Sequence, residues 1–299
     1  MNAAVAEGVT DELRRRTLPR LFSPVEWQLA LPLALFLIAF FVAPLIGLAV
    51  VSLYCEPNFQ TLGLVQYRRL FGDSFNLGIV ADTLWLGAKA TLLCLVFGYP
   101  LAWVCARAGP RLRSLLLFIV VLPILTSVVV RTFAWIVILG RQGLFNRTLL
   151  ALGLSDAPID LLFTEPGVII VLAQVQMPLM VLPLLTSLQR IDPNLADASA
   201  ALGAGEWRTF RRVILPLSLP GIAAGCTLVY AACATAFITQ TLIGGARHLY
   251  MPLFLYQQAS GANDWPFAAA LAIVFMAAVL LVVLLLSLLG RARTARIYA

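Results

Sequence analysis

This chain has one lysine and one histidine in 299 residues, and only 12% of its side chains are charged. A soluble domain carries about twice that fraction, so a water-facing globular protein is excluded. A lone histidine (His248), five scattered cysteines and no CxxC pair offer nothing from which a metal centre or redox motif could be built. The single lysine, Lys89, follows alanine, so no Gly-x-x-x-x-Gly-Lys-Ser/Thr phosphate loop exists. The chain is therefore expected to hold no cofactor and to hydrolyse no ATP by itself. Inside its apolar stretches the clear ionisable groups are Asp82, Lys89 and Arg131. That is too sparse a set for a membrane-embedded enzyme.

Apolar runs are what the chain has in abundance: 61% of its residues are hydrophobic. A helix needs about twenty apolar residues to cross a bilayer. Six segments meet that length, at roughly Gln28–Leu53, Thr83–Cys105, Ser114–Leu139, Gly167–Leu188, Leu217–Thr239 and Phe267–Leu289. Backbone in lipid must satisfy its own hydrogen bonds, which makes them helices. The expected fold is an all-α integral membrane protein with six transmembrane helices over residues 27–290, flanked by polar tails at 1–26 and 291–299. The first segment is too long for a signal peptide and lacks its small-residue cleavage site, so it is expected to stay attached.

The net charge of +7 would suit nucleic acid, but its distribution argues against that partner. Arg14, Arg15, Arg16 and Arg20 precede the first span. Arg107, Arg111 and Arg113 join the second and third, Arg190, Arg208, Arg211 and Arg212 lie between the fourth and fifth, and Arg291, Arg293 and Arg296 follow the sixth. Fourteen arginines thus fall on one side, against five (Arg68, Arg69, Arg141, Arg147, Arg247) on the other. This is the positive-inside pattern, and it puts both termini and the loop at residues 192–212 in the cytoplasm.

That loop is the most informative stretch: IDPNLADASAALGAGEWRTFRRVILPLSLPG, Ile191 to Gly221. Asp192 can cap a helix that Pro193 starts, and an alanine-rich turn follows. Gly203-Ala204-Gly205 then breaks the run. A second short helix begins at Glu206, with Trp207, Phe210 and Val213 at three-residue spacing on one face. Pro216 and Pro220 close the segment. A short helix, a glycine break and another short helix between two spans form a docking element.

The loop resembles the EAA loop of permease subunits of ABC importers, in which Glu-Ala-Ala is followed by Gly, Ile and Leu-Pro at fixed spacing. Asp197-Ala198-Ser199, Gly203, Val213 and Leu215-Pro216 occupy those positions, with Asp, Ser and Val as mild departures. The string LPILTSVVVRTFAW, with Pro123 and Arg131, and the stretch from Gly244 to Trp265 resemble the spermidine/putrescine branch of these permeases. Leu144, Asn146 and Leu149 resemble that family's external helix. The resemblance implies a type I (MetI-like) fold and a cytoplasmic coupling helix carrying Trp207 and Phe210 as anchors. It also implies a dimer of ABC ATPase subunits that binds the ATP, a periplasmic or extracellular substrate-binding protein, and a second permease subunit, favouring a heterodimer over a homodimer.

For the translocation path the candidates are Lys89, Arg131, Gln174, Gln176, Tyr230 and Phe237. Lys89 either lines the path, snorkels outward, or pairs with Asp82 seven residues earlier on nearly the same face. Arg131 either faces the cavity or clamps two helices. Gln174 and Gln176 stand beside the proline break at Met177-Pro178 and mark the path or glue helices. Tyr230 and Phe237, seven apart, share a face and line a gate or pack in the core. A self-sufficient carrier or channel is the rival reading; the intact loop and the want of an internal repeat count against it. The solute is left as polyamine-like, amino-acid-like or phosphonate-like, the scarcity of carboxylates in the spans counting against a cation.

Overall fold

A computed structural model describes residues 24–298, with side chains described from Leu31 to Gly290 except at Ala246. The expected tail arginines Arg14 to Arg20 lie outside the described residues. The chain divides after Val51 into two compact units. The first holds α1 (Pro24–Leu37), which widens through a π turn at Ile38–Val42 into α2 (Ala43–Val51). The widening has a cause: Pro44 has no amide to give the carbonyl four residues back, and Ala43 donates instead to Ile38, five back.

The second unit starts with α3 (Val65–Gly72), an amphipathic turn that buries Gln66 and Leu70. Next comes α4 (Ser74–Arg107), a 34-residue helix capped by Asp73, whose carboxylate accepts from the Phe75 amide at 2.9 Å. At 1.5 Å per residue it is about 51 Å long, well over the hydrocarbon thickness of a bilayer. α5 (Pro110–Val121), α6 (Val128–Leu139) and α7 (Leu144–Ala151) follow, then α8 (Glu165–Val175) and α9 (Met177–Gln189). The loop helices are α10 (Asn194–Ala201) and α11 (Glu206–Thr209). α11 continues through a π turn at Phe210–Ile214 into Leu215–Leu217. Pro216 repeats the logic of Pro44, with Leu215 donating five residues back to Phe210. α12 (Leu219–Ala234), α13 (Phe237–Gly244), α14 (Met251–Tyr256) and α15 (Trp265–Tyr298) complete the unit.

Among the described residues four stretches are long and apolar enough to cross a membrane: Leu31–Val51, Ser74–Arg107, Val128–Ala151 and Trp265–Gly290. Two bent pairs bring the number to six: α8 with α9, at 47°, and Glu206–Leu217 with α12, at 62°. Three expectations are corrected. The third span is not one helix over Ser114–Leu139; it stops at Val121 and restarts at Val128, across a 3-10 turn at Leu122–Leu125 and an extended Thr126. Pro123 supplies no amide there, which ends the α ladder. The fifth span ends at Ala234 rather than Thr239, because Ala236 leaves helical geometry at φ −75°, ψ 67°. The sixth helix runs on to Tyr298, through the expected tail.

The core is the packing of α9 against α4 and α12, with α15 along α12. Cys94, Met180, Leu184 and Val229 are completely buried there. Close approach of α9 and α12 is decided by Gly221, where an added Cβ would lie 2.5 Å from the Ser187 Cβ and 3.0 Å from the Pro183 carbonyl. Small residues at crossing points are how membrane helices gain contact without a hydrophobic drive between them. On the loop side of α7, Asn146 is 1% exposed and staples the connection: its amide donates to the Gly140 and Ile159 carbonyls and its oxygen accepts from the Ile159 amide. Replacing Asn146 with Ala would remove three hydrogen bonds, leave the Ile159 amide and carbonyl without this partner, and is expected to cost about 2 kcal/mol. Thermal unfolding in detergent would read the loss; an unchanged midpoint would refute the staple.

Candidate functional site

The loop forms as its residues dictate. Asp192 caps α10, its carboxylate accepting from the Asn194 amide at 2.9 Å. The chain then turns at Gly203, whose φ of +78° only glycine adopts without penalty. α11 folds back beside α10, and the hydroxyls of Ser199 and Thr209 meet at 2.9 Å to tie the two short helices together. Ser199 stands where the resemblance has alanine, and it uses its extra oxygen as this crosslink.

Phe210 anchors the loop to the helix bundle. Its ring meets Tyr99 at 5.8 Å and Trp103 at 5.5 Å, both edge-on, on the far end of α4. Trp207 stacks on its outer side at 5.5 Å and is 73% exposed. Tyr99 also shares a hydrogen bond with the buried Ser218 at the bend before α12 (3.0 Å). α4, α9 and α12 therefore all converge on the loop. Val213, Leu215 and Pro216 are half-buried against them, while Asp197, Ala198 and Gly203 face outward. Two clefts flank the seam between loop and bundle, of about 530 and 730 Å³. Both are lined by Asp197, Trp103 and Arg107, with the Arg107 guanidinium lying 3.9 Å over the Trp103 ring. Arg113 closes the α4–α5 turn by donating to the carbonyls of Cys105, Ala106 and Ala108. Tyr99, Trp103, Thr209 and Ser218 were not legible as loop supports, since their contacts cross between distant segments.

The six expected path residues have different settings in the fold. Lys89 pairs with Glu165 at 2.6 Å, not with Asp82. A partner 76 residues away on the first turn of α8 outcompetes one on the same helix. Glu165 is not among the expected path residues. Its signal was the Thr164-Glu165-Pro166 helix start: Thr164 accepts from Gly167 and the proline takes the first turn. A carboxylate therefore does face the lysine. Nearby, burial raises the Tyr250 phenol above its ordinary range, and the Glu165 and Asp82 carboxylates push it the same way. Arg131 neither faces a carboxylate nor clamps a second helix: it donates to the Pro123 carbonyl and bridges the break in its own span. Gln174 accepts from the Trp135 indole at 3.1 Å, joining α8 to α6, and Gln176 marks the bend between α8 and α9. Tyr230 is 2% exposed in the core, its hydroxyl unpartnered. The face it was expected to share with Phe237 does not exist, because the helix ends between them; Phe237 meets Tyr256 at 5.7 Å instead.

The family described as "Binding-protein-dependent transport system inner membrane component" matches residues 98–295, which include the whole loop. The chain belongs to that family. It is thus a permease subunit of an ABC importer, with the type I importer fold. Among its relatives, the spermidine/putrescine transport system permease protein PotB of Escherichia coli (strain K12) is 39% identical over 210 residues, 70% of this chain and 76% of that one. The inner membrane ABC transporter permease protein YdcU of the same organism is 31% identical over 226 residues, 71% of each. In fold, the permease is similar to a bacterial ABC transporter that imports the acidic polysaccharide alginate. That likeness has a TM-score of 0.73 at 19% identity and covers 89% of this chain and 94% of that one.

Proposed function

We propose that the loop Asn194–Ile214 is the cytoplasmic coupling element of this permease. Two ABC ATPase subunits dock on the importer there, bind its ATP and pass their motion into α4, α9 and α12. The observation that carries this is the loop's two-sidedness. Its inner side is fastened to α4 through Phe210, and Ser218 at the bend into α12 is tied to the same helix. Its outer side shows small residues, the exposed arginines Arg208, Arg211 and Arg212, and two bare apolar side chains, Leu202 and Trp207. A face that is rigidly backed yet exposes an aromatic anchor is what a protein interface uses.

The reading includes both termini in the cytoplasm, residues 27–290 as the permease domain between tails at 1–26 and 291–299, and no ATPase site in the chain itself. A binding protein delivers solute from outside; the alginate transporter similar in fold has been seen with its solute-bound periplasmic protein. A second, different permease subunit completes the path. The solute is a small polyamine-like, amino-acid-like or phosphonate-like molecule. Glu165 beside Lys89 removes the objection that a lone lysine would repel a cation, and the PotB relatives carry spermidine and putrescine in their name.

The test is Trp207→Ala. Because the indole is exposed, the permease itself should unfold at the wild-type temperature. ATPase retained on the purified permease should fall about thirtyfold in apparent affinity, the scale of an aromatic hot spot. Unchanged retention would remove the loop from the interface.

A further inference from the structure

The helices that converge on the coupling loop also meet at the opposite end of the bundle. α4 reaches the loop through Tyr99 and Trp103. The α8–α9 pair reaches it by chain continuity, running from Glu165 to Gln189 and on into α10. At the loop-remote end, the first residue of α8 holds Lys89 of α4 at 2.6 Å. Among the described residues the other ion pairs, Arg69–Asp264 and Arg141–Asp160, each involve a residue outside the spans. Of these three ion pairs, Lys89–Glu165 alone ties one span directly to another.

Three features suit this pair to breaking and re-forming. It is not sealed inside the helix packing of this chain, with side chains 33% and 36% exposed, so separation needs no core to be opened. Each partner also has somewhere to go. The Glu165 carboxylate sits in the first turn of α8, where the helix dipole favours an anion whether or not the lysine is present. The Lys89 ammonium lies 5.5 Å from the Trp85 ring, a cation–π seat on its own helix. Finally, the span is jointed between the pair and the loop, with its 47° bend at Gln176. One half can therefore swing without dragging the other rigidly.

We infer that Lys89 and Glu165 are positioning residues of the transport cycle. Their ion pair holds the loop-remote end of the fourth span against the middle of α4 in the resting importer and opens when the coupling loop moves, so that ATP hydrolysis waits for the binding protein. This rests on the loop being the coupling element. A pair that exists in one of two states biases the equilibrium between them by its own strength, about fivefold for a half-exposed pair.

The experiment uses the whole importer in liposomes, measuring phosphate release from ATP with and without the binding protein. Lys89→Met and Glu165→Gln should each raise hydrolysis without binding protein about fivefold. The swap Lys89→Glu with Glu165→Lys should return it to within about twofold of wild type, the remainder reflecting a lysine at a helix N-terminus. Single variants as tight as wild type, or a swap as leaky as the singles, would overturn the inference. If a single variant fails to accumulate in the membrane, the swap decides: recovered accumulation with tight hydrolysis supports the pair, and any other result for the swap overturns it. Failure of the coupling-loop reading shows itself separately, as normal stimulated hydrolysis in Gly203→Asp.

Discussion

Gly203→Asp is expected to lower ATP hydrolysis stimulated by the binding protein about a hundredfold while leaving the permease folded in the membrane. The two halves of that statement have different causes. An added Cβ at Gly203 meets nothing within 4 Å, so the chain itself has room for the side chain. The φ of +78° is a strain for most residues, but Asp and Asn tolerate the left-handed region better than others. What the carboxylate cannot escape is the docked ATPase. A charge buried in an interface without a partner costs about 3–5 kcal/mol, which sets the hundredfold scale. Gly203→Asn is the control: nearly the same shape, no charge, and a much smaller loss. Gly203→Val separates the backbone contribution, since a β-branched residue there costs about 1–2 kcal/mol in loop geometry before any partner arrives. Wild-type stimulation in Gly203→Asp would mean the ATPase docks elsewhere.

The second large effect concerns the bundle that receives the loop's motion. Gly221→Val should drop the unfolding midpoint of the detergent-purified permease by about 10 °C or prevent its accumulation, and Gly221→Ala should lie between that and wild type. The first atom added at Gly221 lies 2.5 Å from the Ser187 Cβ and 3.0 Å from the Pro183 carbonyl. Neither is the tip of a flexible side chain, so α9 and α12 must separate. Overpacking of this kind costs about 1–3 kcal/mol or more. It would also loosen the junction just beyond the loop. An unfolding midpoint equal to wild type would show that α9 and α12 do not approach as closely as described.

Much of the loop was readable in advance because its signals are local. Asp192 caps the next helix within two residues, Gly203 turns with a positive φ that glycine adopts without strain, and the run on either side of it supplies two short helices. Bends at Met177-Pro178 and before Pro220 follow from missing amides, which is a property of one residue. The same chemistry at Pro123 broke the third span, although its apolar run gave no sign of interruption: hydropathy measures compatibility with lipid, not continuity of a helix.

Where the reading failed, it assumed that helical spacing persists. Tyr230 and Phe237 would share a face on an unbroken helix, but the chain leaves helical geometry at Ala236 without a proline or glycine to announce it. Lys89 and Asp82 are neighbours along one helix, yet spatial partners are chosen by packing between helices, and Glu165 stands closer. Arg131 was expected to face the cavity or clamp two helices, and it found its acceptor in the Pro123 carbonyl, eight residues away at the break.

Composition and hydropathy by themselves determined that the chain lies in a membrane as helices, because unpaired backbone and charge are costly in lipid, and short-range capping and turn chemistry determined the shape of the loop. Only the tertiary structure decided which helices carry that loop, which glycine admits close contact and which carboxylate answers Lys89. Those outcomes depend on distances between residues far apart in the chain, and no local pattern encodes them.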